Sequence, residues 1–487
     1  MAGIDSADSP GAGFDGFTSG FGTAATYANH GMTNFYLPFI ADARNNSTVL
    51  WNMVEKVAKE TTSGRFIVWP TRTTRNTGRG AIRPDGQLPD PGSQGLASCF
   101  TETRTFMGRI KVAGELLRRG KTNGGAFMPI EPLEVEGQMD DIAVDYNRMV
   151  QNDGSGRMAE YASGSTTTFT LRINQSIEGA ATCLTAPTIY LEVGDRIGFG
   201  IPGTDALRAI TGGVTGQNGV YVVAVPTSAT AQFGLTPGGA AIDISTVTGL
   251  TAGDWIVRVS ADANTDARSS GRRSELMGIE GIFGDSGVLD GLGTAGLGTA
   301  TAWNQHTGTY DQTVTSLASA GFQGNPATAS FKWNQAVVLD NGGSGARALS
   351  EELLQQAFSD AEERNNAQID LLYSGYATYN SYVKLLTGDK RFNDTLELRG
   401  GHQLLSFNGV GWVKDRFAYA NRVKGINLGE LAVYETQPLG PLNNLGVGLW
   451  ERLQDKDSYW MGHVSSQQFV VRGVRQRVGF NLVDLSA

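Results

Sequence analysis

Residues Arg65 to Lys121 read as two strands joined by a tip that no compact core can hold, and this segment limits the fold more than any other. Strand-like text, FIVWPTRTTR, runs into Asn76 to Gly95, where Pro84, Pro89, Pro91 and five glycines make a turn-rich stretch, and the chain returns through CFTETRTFMGRIKVAGELL. β-formers on either side of a Pro/Gly tip predict an extended hairpin. Such a projection cannot bury both of its faces by itself, so it must lie on the rest of the chain or on a neighbour. It carries nine Arg and two Lys against Asp85, Asp90, Glu102 and Glu115, in a chain of 487 residues with a formal net charge of -9. A basic projection from an acidic protein is built to meet something negative.

A negative surface follows directly in the sequence. Pro129 to Asn152 reads as a helix with Leu133, Met139, Ile142, Val144, Tyr146 and Met149 as its apolar stripe. Its acids, Glu131, Glu134, Glu136, Asp140, Asp141 and Asp145, face only Arg148; Gly137 offers a bend and the turn Asp153-Gly154-Ser155-Gly156 ends the helix. In a monomer the basic hairpin and the acidic helix are two solvated faces. In a repeating assembly they become complementary contacts.

The remaining text divides by texture. Residues 1 to 44 are rich in Gly, Ala, Ser and Thr with isolated aromatics (Phe14, Phe17, Phe21, Tyr27, Phe35, Tyr36, Phe39), and they read as an arm whose aromatics bury against something else. A helix is expected from about Ser47 to Lys59. Residues 158 to 268 are all-β text, in which Gly194-Asp195-Arg196-Ile197 and Gly253-Asp254-Trp255-Ile256 are similar turn-then-strand phrases, so a small barrel or sandwich that folds as an insert is expected. Ser269 to Ser330 is Gly-rich apart from Glu275 to Phe283. The run Phe331 to Leu339 precedes the clearest helix, in which Ser350 is the cap, Glu351 and Glu352 suit the first turn, and Leu353, Leu354, Ala357, Phe358 and Ala361 repeat at helical spacing. A second helix is expected at about Tyr376 to Leu386, with later strands at Gly425 to Glu435 and Gln467 to Phe480. Glycine, 65 of 487 residues, supplies the turns that this many strands need.

No catalytic, cofactor or metal constellation stands out. Gly291 to Gly296 matches GxGxxG, but no buried strand precedes it and no helix follows. Gly114 lies one residue too far from Gly120-Lys121-Thr122 for a phosphate-binding loop. Asp262, Asn264 and Asp266 imitate a calcium loop, yet Ala267 stands where glycine is needed and Arg273 where the bidentate acid belongs. His30, His306, His402 and His463 are isolated, Gly342 to Ala346 is no nucleophile elbow, and Cys99 and Cys183 form no CxxC. The chain is expected not to be an enzyme and to need no cofactor. No Lys or Arg precedes Arg44 and no apolar run reaches the length of a spanning helix, so cytosol-like conditions and no membrane partner are expected.

The order of elements, aromatic arm, short helix, Pro/Gly-tipped hairpin, long acidic helix, β-rich region, helix-containing domain and closing strands, resembles the major capsid protein of tailed bacteriophages, the Hong Kong 97 fold. The local text that carries the resemblance is IEPLEVEGQMDDIAVDYNRMVQNDGSGRMAEYA at 130 to 162, SEELLQQAFSDAEERNNAQIDLLYSGYATYNSYVKLL at 350 to 386 and RFNDTLELRGGHQLLSFNGVGWVKDRFAYANRVKGINLGELAVYE at 391 to 435. The resemblance implies an α+β fold. Residues 1 to 62 would be an N-terminal arm and helix, 63 to 124 an extended loop, and 125 to 157 a spine helix in a peripheral domain that 451 to 487 closes. Residues 158 to 268 would be an inserted β-domain outside the shell, and 269 to 450 an axial domain.

The function implied is self-assembly as hexamers and pentamers into an icosahedral head around double-stranded DNA, formed in the host cytoplasm and ending in the virion. A net-acidic subunit suits a container that holds DNA without gripping it. The resemblance implies inter-subunit contacts between the hairpin's Arg72, Arg75, Arg79, Arg83 and Arg104 and a neighbour's Glu134, Asp140, Asp141 and Asp145. Some relatives weld subunits through a lysine of the extended loop, but no Lys lies between Lys59 and Lys111. The expected partners are therefore other copies of the chain, a separate scaffolding protein with little trimming of this chain, a portal and a cement or decoration protein. A tail-tube or decoration subunit, a β-rich surface protein and an unrecognised hydrolase are the competing readings.

Overall fold

The computed structural model describes residues 48–57, 66–115, 130–152, 154, 156–172, 187–201, 207–211, 219–259, 275–283, 301–304, 309–313, 337–339, 341, 346–389, 395–397, 403–442, 450–453 and 456–486. The aromatic arm, Cys183, the calcium-loop mimic, the GxGxxG run and Gly342 to Gly345 lie outside the described residues. In chain order the first elements are α1 (Val49–Met53), β1 (Glu55–Val57), β2 (Phe66–Thr74), β3 (Gly95–Glu102), β4 (Arg104–Ala113) and α2 (Ile130–Gln151). Next come β5 (Arg157–Ser165), β6 (Thr168–Arg172), β7 (Arg196–Gly200), β8 (Val220–Thr227), β9 (Thr230–Gly234) and β10 (Trp255–Arg258). After α3 (Ile279–Phe283), a separate ribbon pairs β11 (Thr301–Asn304) with β12 (Thr309–Thr313). The rest of the chain runs β13 (Val337–Leu339), α4 (Glu351–Asn365), β14 (Leu371–Ser374), α5 (Tyr376–Asp389), β15 (Thr395–Glu397), β16 (Gln403–Phe407), β17 (Val410–Lys414), β18 (Val423–Ile426), β19 (Leu431–Pro441), β20 (Glu451–Arg452), β21 (Ser458–Val471) and β22 (Gly479–Leu482). The class is α+β.

Three of the four buried apolar clusters among the described residues organise these elements. The first lies between α2 and a five-stranded sheet in which β1, β19, β21 and β20 follow one another and β4 also pairs with β21. Ile142, Tyr146, Met149 and Val150 of α2 are buried there, against Leu50 and Trp51 of α1 and Phe469 and Val471 of β21. Tyr146 is the hub: its ring stacks on Trp51 at 4.7 Å between centroids and meets Phe106 of β4 at 5.6 Å. Burial of that ring pushes the Tyr146 hydroxyl well above its ordinary range.

The N-terminal helix is shorter than its sequence pattern. Helical spacing extends to Lys59, but α1 stops at Met53, Val54 turns to an extended conformation, and β1 joins the sheet parallel to β19 with Lys56 opposite Val433. Tertiary pairing overrides local propensity here, because three β1 residues gain a strand partner that a helix would have left uncovered.

The second core is the predicted insert. Its six strands close into a barrel in the order β10, β5, β6, β9, β8, β7. Phe169, Phe199 and Phe233 fill it, with ring centroids 4.9 to 5.6 Å apart. The two similar phrases noted in the sequence open neighbouring strands: β7 and β10 pair antiparallel, Ile256 opposite Phe199. Each phrase begins at a glycine with positive φ, 101° at Gly194 and 98° at Gly253, a conformation that a β-carbon would strain.

The third core lies under a seven-stranded sheet of order β13, β22, β18, β14, β17, β16, β15, onto which α4 and α5 pack. Ser350 caps α4 as expected: its hydroxyl accepts from the Leu353 amide at 3.2 Å. Tyr382 of α5 stacks on Trp412 at 4.5 Å, and burial pushes its hydroxyl up to about 12. The closing segment 451 to 487 does not stay in one domain. Its β21 lies inside the five-stranded sheet, whereas β22 lies inside the seven-stranded one, between β13 and β18. Residues 431 to 441, expected with the axial part, pair instead with β21 as β19. One continuous strand of fourteen residues satisfies more backbone groups than two short edges would, and that fixes the division.

Gly137 sits in the exposed half of α2 with no atom within 4 Å of where a β-carbon would stand. Since interior helical glycine costs about 1 kcal/mol relative to alanine, Gly137→Ala is expected to raise the denaturation midpoint of the unassembled chain by about that free energy. An unchanged or lower midpoint in urea would show that the position is under a backbone constraint.

Candidate inter-subunit surface

The hairpin has two unlike faces. Pairing of β2 with β3 sets Ile67 opposite Thr101, Trp69 opposite Cys99 and Thr71 opposite Ala97 on one face, where Thr71, Cys99 and Thr101 are buried. The Thr71 hydroxyl lies 3.4 Å from the Cys99 sulfur, and burial pushes that thiol up, so it is a packing group. The other face carries Val68, Pro70 and Arg72 with Leu96 directly across from Arg72, all exposed. Leu96 is 71 % exposed and Leu88 of the tip 75 %, and Ile82 and Met107 are also open to solvent. Large apolar groups gathered at this density on one projection mark a surface that is covered in use.

The tip is preformed. At its neck Asn76 accepts from the Gly78 amide at 2.7 Å, and Gly78 and Gly92 approach so closely that a β-carbon on either would lie 2.5 Å or less from the other's nitrogen. At its end the Gly86 amide donates to the Arg83 carbonyl at 2.8 Å across Pro84-Asp85. Arg72, Arg75, Arg79 and Arg83 are all exposed along this path, and among the described residues no carboxylate pairs with them. Arg104 differs: it opens β4 opposite Gln467, half-buried at the foot of the hairpin.

The acids of α2 divide in the same way. Glu134, Asp140 and Asp141 are exposed on the N-terminal and middle turns of the helix. Glu134 and Asp141 line a groove of about 460 Å³ with Gly137 and Gln138 on one side and Arg109, Ile110 and Lys111 of β4 on the other. The groove therefore brings cations of the same chain beside acids that the sequence set only against Arg148. Asp145 does not belong with the exposed acids: it is bonded to Arg258 of the barrel and lies 3.6 Å from Arg148, which donates to Glu275. Held by two cations of its own chain, Asp145 is an internal bridge and not an open inter-subunit contact. Local spacing marks only Arg148, three residues on, because Arg258 lies 113 residues away.

Sequence reasoning also missed a buried polar chain. Asn147 accepts from the Trp51 amide at 3.1 Å and donates to Asp415 at 3.0 Å, and Asp415 accepts from the Phe417 amide at 2.9 Å. These bonds tie α1, α2 and the loop after β17 together. The only available signal was an asparagine next to Tyr146 within a helix that buries that side.

His463 lies on β21 under the helix, where its Nδ1 is 2.6 Å from Gln138 Oε1, and burial holds its pKa below the usual histidine value. The unfolded chain takes up a proton near pH 6.5 and the folded one does so only at lower pH, so stability present above about pH 6.5 is lost as pH falls below it. His463→Gln is expected to flatten that part of the stability profile, measured by urea denaturation between about pH 5 and 7. An identical slope in parent and variant would remove His463 from the acid response.

Among the described residues, no group of three or more His, Cys, Asp or Glu could hold a metal ion, and no helix is long and apolar enough to cross a membrane.

No protein-family profile and no curated protein sequence matches the chain. Solved structures do. A chain of the cyanophage A-1(L) capsid asymmetric unit is similar at a TM-score of 0.52 and 11% identity, with 96% of this chain and 100% of that chain covered. The capsid of a native GTA particle is similar at a TM-score of 0.45 and 8% identity, with 96% and 100% covered. The first of these likenesses is one of fold, and it runs the length of both chains.

Proposed function

We propose that the chain is the major capsid protein of a tailed phage, self-assembling as hexamers and pentamers into an icosahedral head that encloses double-stranded DNA. The end-to-end likeness in fold to a cyanophage capsid subunit carries the proposal. In this reading residues 1 to 62 are the arm and its helix, 63 to 124 the extended loop, and α2 the spine of a peripheral domain built on the five-stranded sheet. The seven-stranded sheet with α4 and α5 is the axial domain, and the barrel stands outside the shell.

The physics of the hairpin supports the same reading. Its outward face joins exposed Val68, Leu88 and Leu96 to exposed Arg72, Arg75, Arg79 and Arg83, an apolar centre with a charged rim. We assign as its counterpart a neighbour's Glu134, Asp140 and Asp141. Each exposed ion pair contributes about 0 to 1 kcal/mol, and a closed lattice repeats every pair in every subunit. Scaffolding protein, portal and cement protein are separate partners, no catalytic step is required, and the site of action is the virion. Negative-stain microscopy of the purified protein tests this. Closed polyhedra or hexamer rings are expected; tubes would favour a tail-tube subunit, and persistent monomers at high concentration would overturn the assembly reading.

A further inference from the structure

The barrel is joined to the rest of the chain by more than its two covalent connections. Phe417 and Tyr419, from the loop between β17 and β18, are 4 % and 6 % exposed and belong to the barrel's own apolar cluster, as does Val144 of α2 in part. Tyr190, which leads into the barrel's second half, stacks on Phe417 at 5.5 Å between centroids and donates its hydroxyl to the Phe417 carbonyl at 2.9 Å. Tyr419 donates to Asn152 at the end of α2 at 3.3 Å, and Asn152 donates to the Arg157 carbonyl at the start of β5 at 3.3 Å. On β10, the strand next to β5, Arg258 binds Asp145 of α2, with Asp195 at 3.6 Å. The loop that supplies Phe417 and Tyr419 is in turn held by Asp415 to Asn147.

An insert that folds by itself needs none of this. Its core would close on its own residues, and its contacts with the host domain would be few and wet. Here two aromatic side chains from the seven-stranded sheet's loop sit inside the barrel cluster, and the adjacent strands β5 and β10 grip one helix at Asn152 and Asp145. Three bodies that share one buried cluster and several desolvated polar bonds cannot rotate past each other without breaking them.

We propose that the barrel is a keystone, completed by Phe417 and Tyr419 and fixing the angle between the C-terminal half of α2 and the seven-stranded sheet. This departs from the sequence expectation of an independent insert, and it does not depend on the capsid reading. It predicts that the barrel and the loop from Asp415 to Arg422 open together as one cooperative unit, while the exposed half of α2 moves apart from them.

The test uses the full-length, unassembled chain. Hydrogen exchange read by mass spectrometry is expected to show β5, β6 and the 415 to 427 region opening at one common rate. In Phe417→Ala/Tyr419→Ala the β5 and β6 amides should exchange at least about tenfold faster, while β21 is unchanged. Barrel protection that survives this double substitution would overturn the proposal. Because the double variant risks misfolding, Tyr190→Phe with Arg258→Met keeps the ring stack and loosens only the polar grips. Spin labels at the half-exposed Ala143, in the C-terminal half of α2, and at the exposed Ser359, introduced with Cys99 and Cys183 replaced by serine, then report the angle directly. A distance distribution that broadens on loosening the grips supports the keystone, and one that stays as narrow as the parent's refutes it.

Discussion

Glu280→Ala is expected to destabilise the unassembled chain by about 3–5 kcal/mol, the cost of leaving buried cations without their anion. Glu280 in α3 is fully buried, accepts from Arg422 at 3.0 Å and is bonded to Lys424 of β18. Burial pushes the Lys424 ammonium below the ordinary lysine range, with Glu280 opposing the shift. Beside them Arg475, also buried, donates to the carbonyls of Ile282 and Gly281 at 2.6 and 3.2 Å and closes the end of α3. Removing the carboxylate strands two charges among Tyr419, Tyr373 and the sheet. Removing all three charges does not: Glu280→Leu with Arg422→Met and Lys424→Met should recover most of the loss, since a buried ionic group is often replaceable by apolar volume. Urea denaturation followed by tryptophan fluorescence decides it, and a single variant within about 1 kcal/mol of the parent would show that water reaches the group.

Charge reversal on the hairpin has the opposite signature. Arg72→Glu with Arg83→Glu should leave the stability of the unassembled chain within about 0.5 kcal/mol, because both side chains are exposed. On the proposed capsid reading assembly should fail, with closed particles in sedimentation and microscopy falling at least about tenfold, because an ion pair removed from one subunit would be removed from every subunit and like charges would then face the helix acids. A second change, Glu134→Lys with Asp141→Lys, is expected to restore particles to the reversed hairpin. Undiminished shells from the first variant would mean that the arginines face solvent in the assembly.

The parts of this fold that were legible in the sequence are those whose cause is local. Ser350 and the acids after it announce α4 because a cap and a dipole act within one turn. The period of α2, the alternation of the hairpin and the turn phrases of the barrel are local in the same sense. What stayed hidden depends on residues far apart in the chain. Arg422 and Glu280 are 142 residues apart, and Arg258 and Asp145 are 113 apart, so neither bridge leaves a trace in the local text. The shortening of α1 has the same origin, because the strand that draws residues 55 to 57 out of a helix comes from Leu431 onward. The charges of the hairpin arginines and of Glu134, Asp140 and Asp141 were readable in the text, and their exposure is what charged residues adopt. The bridge from Asp145 to Arg258 was not, since that partner enters only when the barrel closes.

The two sheets share a dependence in time. The inner strand β21 of one and the inner strand β22 of the other are both drawn from residues 458 to 482, so neither sheet can be complete while that stretch is still being synthesised. A nascent chain already carries its hairpin, its long helix and its barrel, yet it lacks the strand against which β4 and β19 pair and the one that separates β13 from β18. A chain that has not yet reached residue 482 therefore has neither sheet finished. At about 5–20 residues per second the missing stretch arrives within seconds, and both sheets close only behind it.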